Sequence, residues 1–417
     1  MKNPDRAEVV VVGAGPAGAA TAWALARSGI DVLVLDRARF PRAKPCAEYL
    51  SPQASRILAA MGVLEPIERA GAAQLAGMTI HAPNGIAFQG RFAASHGFHG
   101  FRDRGLAIRR ETLDTIVLDA ARSAGARVAE GQHVTDVLRN GAGRVTGVRV
   151  AGTTGRAGSR DCLATFTVGA DGLRSVVGRR LGLTRNARWP RRIAFVSHYA
   201  GVLGMDDCGE MHVSRAGYCG LADVGGGVTN VALVLPQSRV GDARDGLDRF
   251  FAERLAAHQS LAGRFAGAVR VSPVRATGPF ATSTRRAWAP GAALVGDAAE
   301  FFDPFTGEGI YSALRGGEIL GPYVLEALRA STPRDADAAL NAYDRSRRRE
   351  FAGKWRVERL VALAVEMSPI LNRAARVLAR RSHLADLLVG VAGDFVPARE
   401  VLRPGFLMQL LAPLGPR

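Results

Sequence analysis

The clearest hydrophobic pattern lies at the start of the chain. The unbroken run from Val9 to Val12 is typical of a strand that is buried on both faces. A glycine-containing turn and an alanine-rich segment follow, and a second apolar run over residues 30–35 ends in Asp36. The pattern therefore predicts a strand, a helix and a second strand with an acidic residue at its end.

Weaker patterns predict the remaining elements. Ser51 followed by Pro52 is typical of a helix start, so we expect a helix to about Met61. Asn84 followed by Gly85 predicts a hairpin turn between two apolar runs. Further strands are predicted at 127–138, 145–150, 164–168, 193–201, 210–213, 218–224 and 228–235, and helices at about 110–125, 243–257 and 310–328, with mainly helix beyond.

The glycines of the first turn have the spacing of a dinucleotide-binding fingerprint. Gly13 permits the tight turn, Gly15 lets the backbone approach a pyrophosphate, and Gly18 lets the helix pack closely on the strand. The free N–H groups and the dipole at the start of the helix favour phosphate. Asp36, about twenty residues further on, is positioned to accept hydrogen bonds from ribose hydroxyls.

Two later turns occupy equivalent positions between an apolar strand and a helix. One contains Asp171 and Gly172, and the other contains Asp297. A single nucleotide requires one such turn. Three of them predict a longer dinucleotide lying along a parallel sheet, which favours FAD over NAD.

The order of the three motifs resembles a known group of flavoproteins. G-x-G-x-x-G, then G-A-D-G-x-R-S, then G-D-A-A with D-P-F-T-G-E-G-I, is similar to FAD-dependent oxidoreductases of the para-hydroxybenzoate hydroxylase fold. Within that fold the sequence is most similar to the geranylgeranyl reductase group. The resemblance covers about residues 7–330 and is more specific for FAD than for the reaction.

The resemblance implies roles for individual residues. Asp297 would bind the ribityl chain, Arg110 would contact FAD, and Asp171 would serve both FAD and NAD(P)H. A turn-stabilising Asp171, and Arg109 acting in place of Arg110, remain alternatives. Backbone N–H groups of residues 307–309 would face the flavin N1 and C2 carbonyl region. The predicted cofactor-binding set is Gly13, Gly15, Pro16, Ala17, Gly18, Asp36, Arg37, Arg110, Asp171, Gly172, Asp297, Gly307, Glu308, Gly309 and Ile310.

Two residues are candidates for contact with the substrate. Cys46 lies where the reductases resemble a P-C-G-G pattern near the flavin, although this chain continues with alanine and Glu48. A buried structural thiol and a thiol that lines the substrate pocket are both open. Tyr218 matches the tyrosine of the Tyr-x-Trp-x-Phe-Pro motif of prenyl reductases, but Trp, Phe and Pro are missing. His198, His212 and Tyr199 are further polar ring candidates.

The predicted fold class is α/β. A Rossmann-type FAD-binding domain has a parallel sheet with an inserted β-meander, and a second, mainly antiparallel sheet forms a substrate domain. A helical region ends the chain. The expected boundaries are 1–75, 105–186 and 286–330 for the first domain, 76–104 and 187–285 for the second, and 331–417 for the helices.

Charge adds one feature to this picture. The formal net charge is +17, and the segment from Arg345 to Arg381 holds eleven basic and three acidic residues, a net +8. Such a segment is typical of a solvated face, an anionic membrane surface or an acidic partner. No nucleic-acid module accompanies it, so we predict no nucleic-acid partner.

The remaining composition is that of a globular protein, with 47% hydrophobic and 22% charged residues. Four cysteines without metal-ligand spacing favour a reduced, cytoplasmic protein and no metal. No apolar run reaches the roughly 18 residues of a membrane span, and the first strand begins too early for a signal peptide. Peripheral membrane contact stays open.

The sequence therefore predicts an FAD-dependent oxidoreductase of an apolar small molecule. The leading interpretation is an NAD(P)H-dependent monooxygenase of an aromatic or polyketide-like substrate. The first alternative is a flavin-dependent C=C reductase of an isoprenoid, quinone or lipid. A halogenase is disfavoured because the chain has no Trp-x-Trp-x-Ile-Pro motif. A flavin-retaining carrier protein without catalysis is the non-enzymatic alternative.

Overall fold

The computed structural model describes residues 5–94, 96–152, 158–241, 243 and 246–411. The strands are, in chain order, β1 (Arg6–Val12), β2 (Val32–Asp36), β3 (Tyr49–Leu50), β4 (Ala73–Leu75), β5 (Gly77–His81), β6 (Ala87–Arg91), β7 (Gly105–Ala107), β8 (Arg127–Glu130), β9 (Val134–Arg139), β10 (Val145–Val150), β11 (Arg160–Gly169), β12 (Thr184–Asn186), β13 (Arg192–Ala200), β14 (Cys208–Ser214), β15 (Gly217–Asp223), β16 (Val228–Pro236), β17 (Val269–Arg270), β18 (Arg275–Thr277), β19 (Thr282–Thr284), β20 (Trp288–Ala289) and β21 (Ala292–Leu294).

The helices are distributed unevenly and become continuous towards the end of the chain. They are α1 (Pro16–Arg27), α2 (Ala54–Ala60), α3 (Leu64–Arg69), α4 (Arg110–Ser123), α5 (Val176–Arg180), α6 (Leu247–Ala256), α7 (Gly309–Arg329), α8 (Pro333–Glu366), α9 (Ser368–Arg380), α10 (Ser382–Ala392), α11 (Arg399–Leu402) and α12 (Pro404–Leu411).

The first sheet is centred on β1. This strand pairs in parallel with β11 on one side and β2 on the other, so that Val9 lies opposite both Phe166 and Val32. β8 and β21 extend the parallel sheet outward. Val9, Val10 and Val11 have no exposed surface, which confirms the buried parallel strand that the unbroken valine run predicts.

An antiparallel meander is attached to the same sheet. β10 pairs with both β9 and β11, so the predicted insertion is confirmed. The single strand expected over 127–138 is instead two strands, because Gly131 turns the chain with a φ of 71°. β8 continues the parallel sheet, whereas β9 belongs to the meander.

The second sheet has the order β17-β13-β16-β15-β14-β5-β6. Its neighbours are antiparallel except for β5 and β14, which are parallel. The predicted hairpin is confirmed, since β5 and β6 pair and Gly85 turns with a φ of 80°. Side chains alternate between two faces along these strands. One face lines a cavity, and the other packs on α6 through Phe195, Leu233 and Phe251.

Two helix predictions were wrong in their bounds. The helix expected to begin at Pro52 begins at Ala54, because the Ala54 N–H is donated to the Ser51 carbonyl at 3.0 Å and to the Ser51 hydroxyl at 3.2 Å, which closes a turn over residues 51–54. The helix expected over 243–257 is α6, which begins at Leu247. Residues 244 and 245 of that prediction lie outside the described residues.

The C-terminal helices join both sheets. The first half of α8 packs on α7, and Tyr343 donates a hydrogen bond to the carbonyl of Leu294, the last residue of β21, at 2.8 Å. The second half of α8 packs with α9 and α10 in the apolar cluster that contains Tyr218 and Val234. None of the described helices combines the length and apolar composition needed to cross a bilayer.

Candidate active site

The first glycine turn is packed so closely that its glycines cannot be replaced without movement. Gly13 has a φ of 100°, and a Cβ there would lie 2.4 Å from the Ala170 carbonyl oxygen. A Cβ on Gly18 would lie 1.8 Å from the Gly13 oxygen. These two glycines bring β1, α1 and the β11 turn together, while Gly15 at the N-cap of α1 borders the cavity.

The N-terminus of α1 suits an anionic ligand. Its first turn has no acidic residue, and no side chain caps it. The first N–H groups of any helix lack intrahelical partners, and their dipoles favour negative charge. Pro16 and Ala17 line the cavity beside Gly15. The start of α1 therefore has the form expected of a pyrophosphate site.

Asp36 and Arg37 stand at the end of β2. The Asp36 carboxylate accepts the Ala14 N–H at 2.7 Å and the Ala38 N–H at 2.8 Å. It thereby ties the glycine turn to the second strand, a role that the sequence did not predict. Arg37 is exposed. Ribose binding by Asp36 stays a prediction.

Asp171 forms the N-terminal support of α5. Its carboxylate accepts the Ser175 hydroxyl at 2.5 Å and the Val176 N–H at 2.6 Å. Burial raises the pKa of Asp171, while these hydrogen bonds oppose the shift. The contacts agree with the turn-stabilising alternative for this residue. Gly172, with a φ of 75°, is the part of the motif that borders the cavity.

The third turn carries a second helix N-terminus to the same cavity. Asp297 lies in a 3₁₀ turn with its carboxylate 3.7 Å from the Lys44 ammonium. Gly307 has a φ of 72°, and a Cβ there would lie 2.9 Å from the Tyr49 ring. Gly309 and Ile310 begin α7 and line the cavity. The Gly307 N–H is already donated to the Pro304 carbonyl, so the donors available to a ligand begin with Glu308.

The Glu308 side chain points away from the cavity into a buried ionic cluster. Its carboxylate lies 3.0 Å from the Lys354 ammonium, which also contacts Asp394. Burial raises the pKa of Glu308, and Lys354 opposes the shift. Burial also raises the pKa of Glu358, and the charge of Glu308 adds to that shift. Only the backbone of Glu308 is therefore placed for a ligand.

The cavity lies between these turns and the inner face of the second sheet. Its polar border is formed by the backbone turns already described. The wall formed by the sheet is apolar, and most of its side chains are small. It is lined by Ala194, Val196, Met211, Ala232 and Val234. This surface suits the apolar part of a ligand.

Cys46 lines the cavity beside Arg110. The Cys46 sulfur accepts the Glu48 N–H at 3.3 Å, and the Arg110 guanidinium lies close enough for its charge to interact with that sulfur. Arg110 is 3% exposed and binds Asp114 with two hydrogen bonds of 2.7 Å. Arg110 is therefore a buried cavity residue. Of the two alternatives for Cys46, the pocket-lining thiol is the one that agrees with its position.

Glu48 organises the Cys46 loop from an unusual backbone conformation. It is a non-glycine residue with a φ of 60°, which costs about 1–3 kcal/mol and persists only when surrounding contacts compensate. Its carboxylate accepts the Arg110 N–H at 2.8 Å and lies 2.7 Å from the His198 ring nitrogen. Asn230 donates to the same carboxylate and to the Cys46 carbonyl, both at 2.9 Å.

The opposite wall holds a buried chain of polar side chains. The Tyr218 hydroxyl donates to Asp303 at 2.7 Å, and Arg192 donates to the other oxygen of Asp303 at 2.7 Å. Arg192 continues to Glu366 at 3.2 Å near the surface. Burial raises the pKa of Tyr218 well above its usual value, and the charge of Asp303 adds to the shift. Tyr218 is thus a neutral, fixed part of the cavity wall.

Sequence reasoning placed most of the cavity turns but missed their polar partners. Arg192 is one of many arginines in this chain, so its burial had no sequence signal. Asp303 precedes proline, a pattern typical of a cap, and its side chain does accept the Phe305 N–H at 3.1 Å. His198 was considered only as an isolated ring, because its partner Glu48 is 150 residues away.

A separate cluster on the outer face of the second sheet contains His81, Glu210 and His212. The Glu210 carboxylate lies 2.6 Å from the His212 ring nitrogen and accepts two hydrogen bonds from Arg264. The Arg264 guanidinium already neutralises the Glu210 carboxylate, so contacts within the protein account for this cluster without a metal ion. Met211 lines the cavity, so its neighbour His212 points to the opposite face of the sheet.

Comparison with known proteins identifies the family. Residues 6–355 match the FAD binding domain family. The chain is 31% identical to digeranylgeranylglycerophospholipid reductase 2 of Methanopyrus kandleri over 398 residues, which cover 93% of each protein. The chain belongs to the geranylgeranyl reductase family of flavoproteins. It is also 28% identical over 411 residues to menaquinone reductase of Mycolicibacterium smegmatis, covering 94% of this chain and 92% of that protein.

Solved structures confirm the fold of this family member. A flavin-dependent brominase matches with a TM-score of 0.79 at 20% identity, over 96% of this chain and 98% of the other. The myxobacterial chondrochloren halogenase matches with a TM-score of 0.77 at 24% identity, over 84% and 81% of the two chains. At these identities the likeness concerns the fold alone, and it confirms the predicted α/β architecture with its parallel-containing sheet.

The cavity of this flavoprotein fits FAD. Two helix N-termini, those of α1 and α7, border one cavity from the cofactor side. Gly307, just before α7, borders this cavity together with Gly309. Backbone N–H groups at helix N-termini are suited to bind the pyrophosphate at one end of FAD and the electron-rich flavin ring at the other.

Proposed function

We propose that this protein is an FAD-dependent reductase of carbon–carbon double bonds in an isoprenoid, a prenylated quinone or a lipid. The observation that carries the proposal is the full-length similarity to two proteins named as reductases of such molecules, one of a phospholipid and one of menaquinone. These similarities favour the reductase over the monooxygenase that was the leading interpretation of the sequence.

The apolar cavity supports a lipophilic substrate. Ala194, Ala232 and Val234 present small side chains from the sheet towards the cofactor turns. Tyr218 presents its ring with its hydroxyl already bonded to Asp303. The residues of this wall therefore exclude water and orient an apolar chain by shape.

Bound FAD would supply the hydride, and a reduced nicotinamide is the proposed electron donor. The pyrophosphate is proposed to bind at residues 13–18, with Asp36 at the ribose and Asp297 at the ribityl chain. The N-terminus of α7 is proposed to hold the electron-rich side of the ring. Reduction of a double bond also requires a proton for the second carbon.

Cys46 is the proposed source of that proton. Its thiol borders the cavity, the Glu48 N–H contacts the sulfur, and the Arg110 guanidinium lies close enough for its charge to interact with that sulfur. After the proton has moved to carbon, the negative charge on sulfur would face these two donors. Glu48 and Asn230 hold the loop in position from behind.

Replacing Cys46 tests this role. Cys46→Ser keeps the size of the side chain but is a poorer acid, so we expect kcat to fall by about 10²–10⁴ with unchanged FAD content. Cys208→Ser is the control, since Cys208 is buried in β14 and does not line the cavity. An unchanged kcat in Cys46→Ser would remove Cys46 from the mechanism.

Product analysis without oxygen tests the function itself. The purified protein, reduced by dithionite under argon, should convert a geranylgeranyl lipid, whose isolated double bonds dithionite alone does not reduce, to a product heavier by two hydrogens. The monooxygenase predicts no product under argon and, in air, a product heavier by one oxygen. That pattern would overturn the reductase.

A cavity-filling variant locates the substrate. Ala232→Phe should lower kcat/KM for the long-chain substrate by about tenfold or more, because one or two lost methylene-sized contacts already cost about tenfold. The absorbance of bound FAD should stay unchanged. Ala257→Phe, on the exposed end of α6, should alter neither quantity.

A further inference from the structure

Four large apolar side chains are exposed where α8 meets α9. Leu360, Leu363, Met367 and Ile370 are each 37–45% exposed. Leu360 and Leu363 are three residues apart on α8, the spacing that places helical side chains on one face, and Met367 and Ile370 follow where α8 ends and α9 begins. We call these four residues the junction face. Contiguous exposed apolar surface of this kind marks an interaction site more often than ordinary surface.

Exposed arginines lie on the two helices that carry the junction face. Arg356 and Arg359 precede it on α8, and Arg376 and Arg380 follow it on α9, all exposed. In the part of the chain that the structure describes, Arg356, Arg376 and Arg380 form no ion pair. Their charge is therefore available to an external partner.

Other basic residues of the same segment serve a different purpose. Arg347 is 3% exposed and pairs with Glu300 and Asp344, and Lys354 pairs with Glu308 and Asp394. The +8 segment is thus divided. In its first half Arg347, Arg348 and Lys354 pair with buried carboxylates while Arg345 and Arg349 are exposed, and its second half combines exposed arginines with exposed apolar side chains.

The junction face adjoins the proposed substrate cavity. Arg192, which holds Asp303 and Tyr218 in the cavity wall, also donates to the Ala362 carbonyl at 3.3 Å. On the inner side of α8, Val357 and Val365 belong to the same apolar cluster as Tyr218 and Val234. One helix therefore has the cavity wall on one side and the junction face on the other.

We propose that the junction face docks on the surface of an anionic lipid bilayer. The apolar side chains would enter the interface, and the arginines beside them would contact lipid phosphates. The helices are not suited to cross the bilayer. The docking is independent of the reaction, so its failure and the failure of the proposed reductase are separate results.

A second copy of the chain is a less suitable occupant. A two-fold symmetric contact brings the same patch of both copies together. Here it would set the exposed arginines of one copy against those of the other. Like charges that face each other in an interface oppose association.

Vesicle sedimentation tests the docking. The purified protein should sediment with vesicles that contain phosphatidylglycerol but not with pure phosphatidylcholine vesicles. Binding should weaken with added salt, because the screening length falls from about 30 Å at 0.01 M to about 3 Å at 1 M. Leu363→Gln with Ile370→Gln should weaken binding about tenfold or more. Arg376→Gln with Arg380→Gln should weaken it about fivefold per arginine at low salt.

Matched controls separate docking from general surface effects. Leu203 and Val269 are 55% and 64% exposed on the second sheet and its loops, so Leu203→Gln with Val269→Gln should leave vesicle binding unchanged. Arg185→Gln with Arg215→Gln is the charge control. Each variant counts as folded when its unfolding midpoint and its content of bound FAD match those of the unmodified protein. Equal binding of the junction and control variants, or loss of a dimer in place of vesicle binding, would overturn the proposal.

Discussion

The turns on the cofactor side of the cavity present backbone, whereas the sheet opposite presents side chains. Gly13, Gly18 and Gly307 leave no room for a Cβ, since each would meet a neighbouring atom within 2.9 Å or less. Across the cavity, Tyr218 and Arg192 are held by a single buried carboxylate, Asp303. Backbone geometry thus defines the side proposed for the cofactor, and a network of side chains defines the side proposed for the substrate.

The difference has a physical reason. Phosphate groups and an electron-rich ring need several N–H donors at close range, and helix N-termini supply these whatever the substrate. A substrate wall must instead match one shape, and side chains can change without altering the fold. Replacements on the two sides should therefore fail in different ways.

The largest effect should come from the first turn. Gly18→Ala would place a Cβ 1.8 Å from the Gly13 oxygen, so β1 and α1 must separate. We expect loss of bound FAD, measured by the ratio of absorbance at 450 and 280 nm. Gly141→Ala, where nothing lies within 4 Å of the added Cβ, is the control. Normal FAD content in Gly18→Ala would show that the turn tolerates side chains.

Removing the Arg192 guanidinium from the wall proposed for the substrate should lower the free energy of unfolding of the protein. Arg192→Met leaves the Asp303 carboxylate buried without its partner, which typically costs about 3–5 kcal/mol. Urea unfolding measures this loss. Arg149→Met, which breaks an exposed pair with Asp161, should change stability little. If Arg192→Met/Asp303→Asn recovers no stability relative to Arg192→Met, the buried charge is not the cause.

The outer face of the same sheet should respond to pH. Burial raises the pKa of Glu210, but hydrogen bonds from His212 and Arg264 outweigh burial and lower it from 4.5 to about 2. This depressed pKa contributes about 3 kcal/mol above pH 4.5, and the contribution is lost as pH falls towards 2.

Glu210→Gln tests that linkage. Compared with the unmodified protein, its free energy of unfolding should be lower at pH 7, and the difference should shrink as pH falls from about 5 to 3. Glu65→Gln, in an exposed pair with Arg69, should show no such convergence. A difference that stays constant over this range would contradict the pKa shift.

The smallest effect should come from one hydroxyl. Tyr218→Phe removes a hydrogen bond to a charged group, which is worth about 1.5–3 kcal/mol, while Arg192 still neutralises Asp303. Stability and kcat/KM should fall, and bound FAD should not. Tyr323→Phe, at a half-buried tyrosine on α7, controls for loss of a hydroxyl. Loss of FAD from Tyr218→Phe would show that the two sides of the cavity are not independent.

Much of the fold follows from local patterns. The valine run of β1 indicates a buried parallel strand. The glycine spacing of the following turn indicates a helix packed closely on that strand, because side chains at the glycine positions would prevent this packing. The 51–61 helix shows the limit of this reasoning. Pro52 lies in a turn before the helix, closed by the Ala54 N–H on the Ser51 carbonyl and hydroxyl, and the local pattern of Ser51 and Pro52 is equally compatible with either arrangement.

The polar contacts of the site depend on positions that are far apart in sequence. Glu48 and His198 are 150 residues apart, and Tyr218 and Asp303 are 85 apart. Neither pair has a spacing that predicts contact. The basic segment after Arg345 forms a single charged group in the sequence. In the structure, α8 places Arg347 and Lys354 inside the protein and leaves Arg356 at the surface.

The sequence by itself determined the family, the glycine turns that are predicted to bind FAD, and the strand patterns of the two sheets. These features depend on residue type and spacing along a short stretch, which physical constraints on the backbone make specific. Tertiary structure alone decided that Cys46 borders the cavity and that Asp303 joins Tyr218 to Arg192. It also decided that the arginines of α8 and α9 divide between interior and surface. Each of these depends on which side chains from distant strands and helices meet, and on how much water remains around them.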